Sequence, residues 1–120
     1  MRFLAIYKTA ETGVPPSPEN MAAMGKLIEE MAKGGVLLAT EGCQPSSKGA
    51  RVRISGEKFT VTDGPFTETK ELISGFALFQ VKSKEEAIEW TKRFLKLAGD
   101  GESEIRQIYD VPALSSGNEK

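Results

Sequence analysis

Residues 74–98, SGFALFQVKSKEEAIEWTKRFLKLA, decide the fold, because the apolar period changes in the middle of them. Ser74 to Val81 is a short, mostly apolar run of strand length. After Ser83, residues Ala87, Trp90, Thr91, Phe94, Leu95 and Ala98 fall on one helical face. Ser83 stands three residues before Glu86, the spacing of a capping box, so the helix begins there. Gly99 and Gly101 end it around Asp100.

The same reading extends outward in both directions. Downstream, EIRQIYDV (104–111) is a last strand carrying Ile105, Ile108 and Val111. Upstream, Phe3 to Tyr7 (FLAIY) is a first strand, and Pro15, Pro16 and Pro18 punctuate the loop after it. Ser17 is placed to cap a helix with Pro18 in its first position. Met21, Met24, Ile28 and Met31 recur at helical spacing until Gly34 and Gly35 stop the helix. Val36 to Thr40 (VLLAT) is the next strand. Arg51–Ser55 and Lys58–Thr62 then flank SGEK as a hairpin. Val52, Ile54, Phe59 and Val61 form the apolar face of that hairpin.

Two right-handed crossovers place both helices on one face of an antiparallel sheet. The expected fold is therefore α+β, a ferredoxin-like βαββαβ sandwich with an inserted β-hairpin. Residues 1–113 make one domain, and residues 114–120 read as a disordered tail. An antiparallel sheet with one wet face alternates apolar and polar residues, whereas FLAIY, VLLAT and GFALF do not. Their second face needs a cover, and no third long element exists to supply it. A second subunit packed sheet against sheet is the expected cover, which makes the working unit a homodimer.

Composition narrows the function. The chain has 120 residues, 39% hydrophobic and 28% charged, with a formal net charge of -1, so no global basic field exists to hold nucleic acid. No apolar run approaches a membrane span and the start lacks a signal-peptide pattern, so the expected location is the cytoplasm, with no membrane or nucleic-acid partner. There is no histidine, and Cys43 is the only cysteine. Imidazole metal sites, histidine-activated nucleophiles and an internal disulfide are excluded, and neither metal nor cofactor is expected. Acid–base chemistry would rest on carboxylates, lysine, tyrosine or the thiol.

The candidate site lies in VTDGPFTETKELISGF (61–76). An Asp in a turn usually bonds the N–H two residues on, but Pro65 has none there. The Asp63 carboxylate therefore reaches the N–H of Phe66 or Thr67 as a turn lock, or it faces a cleft. We expect the lock. Glu68, Lys70 and Glu71 follow closely. With Asp63 they are the candidate catalytic set, Lys70 holding an anionic or carbonyl oxygen and Glu68 or Glu71 acting as base. The bland reading of the same cluster is a solvated loop. Lys48, Arg51, Arg53 and Lys58 read as the polar outer face of the hairpin.

The stretch TVTDGPFTETKELISGF followed by EEAIEW resembles the YCII-related, DGPF-domain proteins. RFLAIY, RVRISGEKFTV and SEIRQIYDV extend the likeness over nearly the whole chain apart from the tail. The resemblance implies a dimeric α+β barrel of ferredoxin-like subunits and a largely unassigned function. A His-Asp pair is associated with a related branch, and a chain without histidine does not carry it over. Relatives are often encoded beside extracytoplasmic-function sigma factors, which implies a regulatory or interaction role as the alternative. The leading expectation is a small-molecule ligand bound in a cleft near the DGPF turn.

Overall fold

Two serine hydroxyls start the two helices. In the computed structural model, which describes residues 1–110, Ser17 Oγ accepts the Asn20 N–H at 3.1 Å. Ser83 Oγ accepts the Glu86 N–H at 3.1 Å, and the Glu86 carboxylate reaches back to the Lys82 N–H at 2.9 Å. These caps open α1 (Pro18–Lys33) and α2 (Lys84–Ala98). The strands are β1 (Arg2–Thr9), β2 (Leu37–Gly42), β3 (Ala50–Ser55), β4 (Lys58–Asp63), β5 (Leu72–Gln80) and β6 (Glu102–Gln107). The last strand starts two residues before its expected position because Glu102 and Ser103 pair with Lys8 and Tyr7. Val111 and the expected tail lie outside the described residues.

Four strands form one antiparallel sheet in the order β2-β5-β1-β6. The register sorts side chains by face. Phe3 lies opposite Phe79, and Ala5 lies opposite Ala77 and Ile105. Phe3, Ala5 and Phe79 are buried together with Leu27 and Met31 of α1 and Ala87 of α2, so both helices cover this face. Leu4 opposite Leu78, and Ile6 opposite Phe76, fall on the other face. No helix among the described residues is long and apolar enough to cross a membrane. The mixed α+β order, two helices and antiparallel sheet fit a ferredoxin-like fold.

The hairpin β3–β4 is a separate two-stranded sheet. Val52 pairs with Val61 and Ile54 with Phe59 on one face, as the alternation requires. Gly56 opens the connecting turn with φ +63°, a conformation costly for a residue with a Cβ. Every residue of both strands is exposed.

The base of the hairpin is fixed to the rest of the chain by a compact junction. Gly64 N–H donates to Gly49 O at 3.0 Å. A Cβ on Gly64 would run into the backbone carbonyl of Ser46, so only glycine fits this approach. Ser46, in a single 3-10 turn (Ser46–Lys48), accepts the Phe66 N–H on its hydroxyl at 3.2 Å. Its own N–H and hydroxyl donate to the two carboxylate oxygens of Glu11 at 2.7 and 2.8 Å. The expected lock by Asp63 is thus corrected, since Ser46 takes the Phe66 N–H. Among the described residues the Asp63 carboxylate has no hydrogen-bond partner.

Three substitutions test this junction by denaturant unfolding. Gly64→Ala is expected to cost more than about 2 kcal/mol, because backbone on both sides must move. Ser46→Ala is expected to cost about 1–2 kcal/mol by leaving the half-buried Phe66 N–H unpaired. Asp63→Ala is expected to stay within about 0.5 kcal/mol of the parent, as an exposed unpaired side chain does. A Gly64→Ala chain as stable as the parent would show that the close approach does not hold.

Candidate functional site

The sheet is lined with small residues on its helix-covered face near one end. Tyr7 stands opposite Gly75 and Ser103, and Ala5 opposite Ala77. Helices that sit over so little side-chain volume leave space beneath them. A cavity of about 380 Å³ occupies that space, walled by Met24, Ile28, Met31, Phe79, Thr91 and Phe94. A wider cleft of about 890 Å³ adjoins it and shares Tyr7, Pro16, Met24, Ile28 and Ser74 with it. The β1–α1 loop and the end of β2 form the mouth, bringing in Glu11, Thr12, Cys43 and Gln44.

The polar groups here are held in place. The Tyr7 ring meets Phe94 edge-on, with centroids 5.1 Å apart and planes at 84°. Its hydroxyl donates to the Asp100 carbonyl at 3.2 Å, so Tyr7 is buried and satisfied while it still lines the cleft. Asn20 Nδ2 donates to Leu97 O at 2.6 Å and ties the start of α1 to the end of α2. The Glu11 carboxylate is aimed by its two bonds to Ser46. Each oxygen keeps a lone-pair direction free, so the group remains an acceptor for a ligand hydroxyl or a base for its proton. Cys43 is exposed at the mouth, and its N–H donates to Ser74 O at 2.8 Å.

Asp63, Glu68, Lys70 and Glu71 are all exposed, and none lines either cavity. Of the four, Glu68 alone forms an ion pair among the described residues. Glu68 pairs with Arg51, and its carboxyl is held below the usual carboxylate range by its own backbone N–H and then by that guanidinium. Arg51 lies 3.9 Å over the centre of the Phe66 ring and also donates to Thr69 Oγ1 at 3.0 Å. Arg51 is thus more than hairpin polarity, for it clamps the DGPF loop onto β3. Glu71 adds a smaller attraction to Lys8, whose ammonium is held mainly by the 3.0 Å hydrogen bond it donates to Glu104 Oε1.

Sequence reasoning missed Glu11 and Ser46. One signal was present: Glu11 is the only ionisable residue between Thr9 and Pro18. Its pairing with Ser46 was not legible, since the two stand at a sequence separation of 35.

No curated protein matches the chain. Among solved structures, the fold is similar to 5-chloro-2-hydroxyhydroquinone dehydrochlorinase from Burkholderia phenoliruptrix AC1100 in complex with 2,5-dihydroxybenzoquinone. The two share 13% identity at a TM-score of 0.54, over 93% of this chain and 97% of that one. At that identity the likeness shows the fold alone. The YCII-related domain matches residues 1–112, and the chain belongs to the YCII-related family.

Proposed function

We propose that this protein is a cytoplasmic homodimer that binds a small, largely apolar molecule in the cleft between α1, α2 and the sheet. The observation that carries the reading is the pair of adjoining cavities, walled by apolar side chains and edged by a few fixed polar groups at one mouth. A compact ring compound bearing hydroxyl or carbonyl oxygens suits such a lining. Its apolar body would sit among Met24, Ile28 and Phe94, and an oxygen would face Tyr7 or Glu11. If a proton is moved, Glu11, aimed at the mouth by Ser46, is the carboxylate placed to take it, with Glu41 a second carboxylate on the lining of the inner cavity. Glu68, through Arg51, holds the DGPF loop in this reading, and Asp63, Lys70 and Glu71 stand outside the cavity lining.

The homodimer rests on the uncovered face of the sheet, where Leu4, Ile6, Phe76 and Leu78 lie together. Apolar residues grouped this way favour a partner surface over water.

Two outcomes are expected. Light scattering at micromolar concentration gives a mass twice the 13.0 kDa of one chain, and a monomer mass would remove the dimer. A panel of hydroxylated ring compounds, with 2,5-dihydroxybenzoquinone among them, is titrated by calorimetry and methyl NMR. At least one binds saturably and shifts the Met24 and Ile28 methyl signals. Ile28→Trp fills the cleft and weakens that binding by roughly ten-fold or more with the melting point kept. Binding that Ile28→Trp leaves unchanged, or no binding across the panel, would overturn the cleft as the site.

A further inference from the structure

We propose that the cleft selects its ligand by charge, taking a protonated amine carried on a compact apolar body and refusing a carboxylate of the same shape. The inference rests on the cleft reading above and names the head group that the cleft fits.

The charged groups of the lining are of one sign. Glu11 borders the mouth and Glu41 belongs to the lining of the inner cavity, whereas no lysine or arginine lines either cavity among the described residues. Neither carboxylate forms an ion pair among those residues. Glu11 is held by the Ser46 N–H and hydroxyl, two neutral donors that orient the group and leave its charge uncompensated. Lys8, beside Tyr7 in the chain, is paired with Glu104. Glu41 stands opposite Phe76 in the sheet register, so its charge acts on a ligand through the field, and Glu11 is the group that meets the head.

The hydroxyl groups carry the same bias. Tyr7 and Thr9 each donate their proton to Asp100 O, at 3.2 and 2.9 Å. Thr40 donates to Phe76 O and Thr91 to Ala87 O, both at 2.8 Å. All four line the cavities, and each has spent its single donor on the backbone, so toward a ligand each offers lone pairs. An ammonium has three donors and no acceptor, which matches such a lining. A carboxylate has acceptors alone and meets lone pairs and a like charge. The start of α1 borders the cleft but restores no anion site. Ser17 Oγ takes the Asn20 N–H, Pro18 has no N–H, and Glu19 sets a carboxylate in the first turn. The donors kept by Ser74, Ser103 and Gln44 are neutral.

Desolvation does not cancel the preference. Taking a charge wholly into an apolar cavity is costly. Glu11 is exposed at the mouth, so a head that meets it keeps part of its water while the apolar body passes between Met24 and Ile28.

Calorimetry at neutral pH with 2-phenylethylamine, 2-phenylethanol and 3-phenylpropionate tests the charge on one ring body. The amine is protonated there, as a lysine side chain is. It is expected to bind roughly ten-fold or more tightly than the alcohol, and the acid more weakly than either. Raising the salt toward 1 M, where the Debye length falls to about 3 Å, narrows the gap between amine and alcohol. Glu11→Gln keeps an acceptor for Ser46, lowers amine binding by roughly ten-fold and leaves the alcohol within about two-fold of the parent. An amine that does not bind, an acid that binds as tightly as the amine, or an amine-to-alcohol ratio that ignores salt overturns the proposal on the parent chain alone, and a folded Glu11→Gln chain with the parent's ratio does the same. In each case the cleft reading stands if alcohol binding is still weakened by Ile28→Trp, and it falls with the proposal if Ile28→Trp changes nothing.

Discussion

Two amphipathic helices can cover only one face of a four-stranded sheet, and the rest of this molecule follows from that constraint. Phe3, Ala5 and Phe79 meet Leu27, Met31 and Ala87 under the helices and make a small apolar core. The strands were built with apolar residues on both sides, so Leu4, Ile6, Phe76 and Leu78 are left on the face that no element of the chain covers. Most of the stabilisation in such a fold comes from apolar area removed from water. A subunit that removes it from only one side of its sheet has an incentive to associate, and the proposed dimer expresses this.

The junction around Ser46 couples three parts of the chain that sequence separates widely. Glu11 comes from the β1–α1 loop, Ser46 from the 3-10 turn after β2, and Phe66 from the loop after β4. Each bond is modest alone, about 1 kcal/mol net for a typical intramolecular hydrogen bond. Together they hold the root of the β3–β4 hairpin at one end and aim the Glu11 carboxylate toward the cleft mouth at the other. Arg51 adds a second tie by stacking on Phe66 while it pairs with Glu68.

The DGPF stretch shows how a conspicuous motif can mislead about role. Asp63 draws attention as the charged residue of the turn, yet it is exposed and has no hydrogen-bond partner among the described residues. The constraint falls on its neighbour. Gly64 sits where the Ser46 carbonyl leaves no room for a Cβ, and the Gly64–Pro65 peptide is cis. Phe66 then anchors the loop under Arg51. The motif works through backbone approach and an aromatic platform, and its carboxylate is not part of the lock.

Sequence alone determined the elements and their order. Helix caps at Ser17 and Ser83, apolar periods of 3.6 and 2, and glycine stops are local signals, each decided within a few residues of chain. The antiparallel α+β arrangement followed from them, because crossover handedness leaves few ways to connect such elements. The bare second face was legible for the same reason, being written in the lack of alternation in FLAIY and GFALF. The cleft was not. It exists because Gly75, Ser103 and Ala77 fall opposite Tyr7 and Ala5 in the sheet register, beneath two helices whose separation no local pattern specifies. Glu11 meets Ser46 at a sequence separation of 35, and Arg51 meets Phe66 only once the hairpin has folded back on its own root. Pairings of that kind are set by long-range packing, so only the tertiary structure could decide which of the chain's carboxylates line a cavity, as Glu11 and Glu41 do, and which lie away from it.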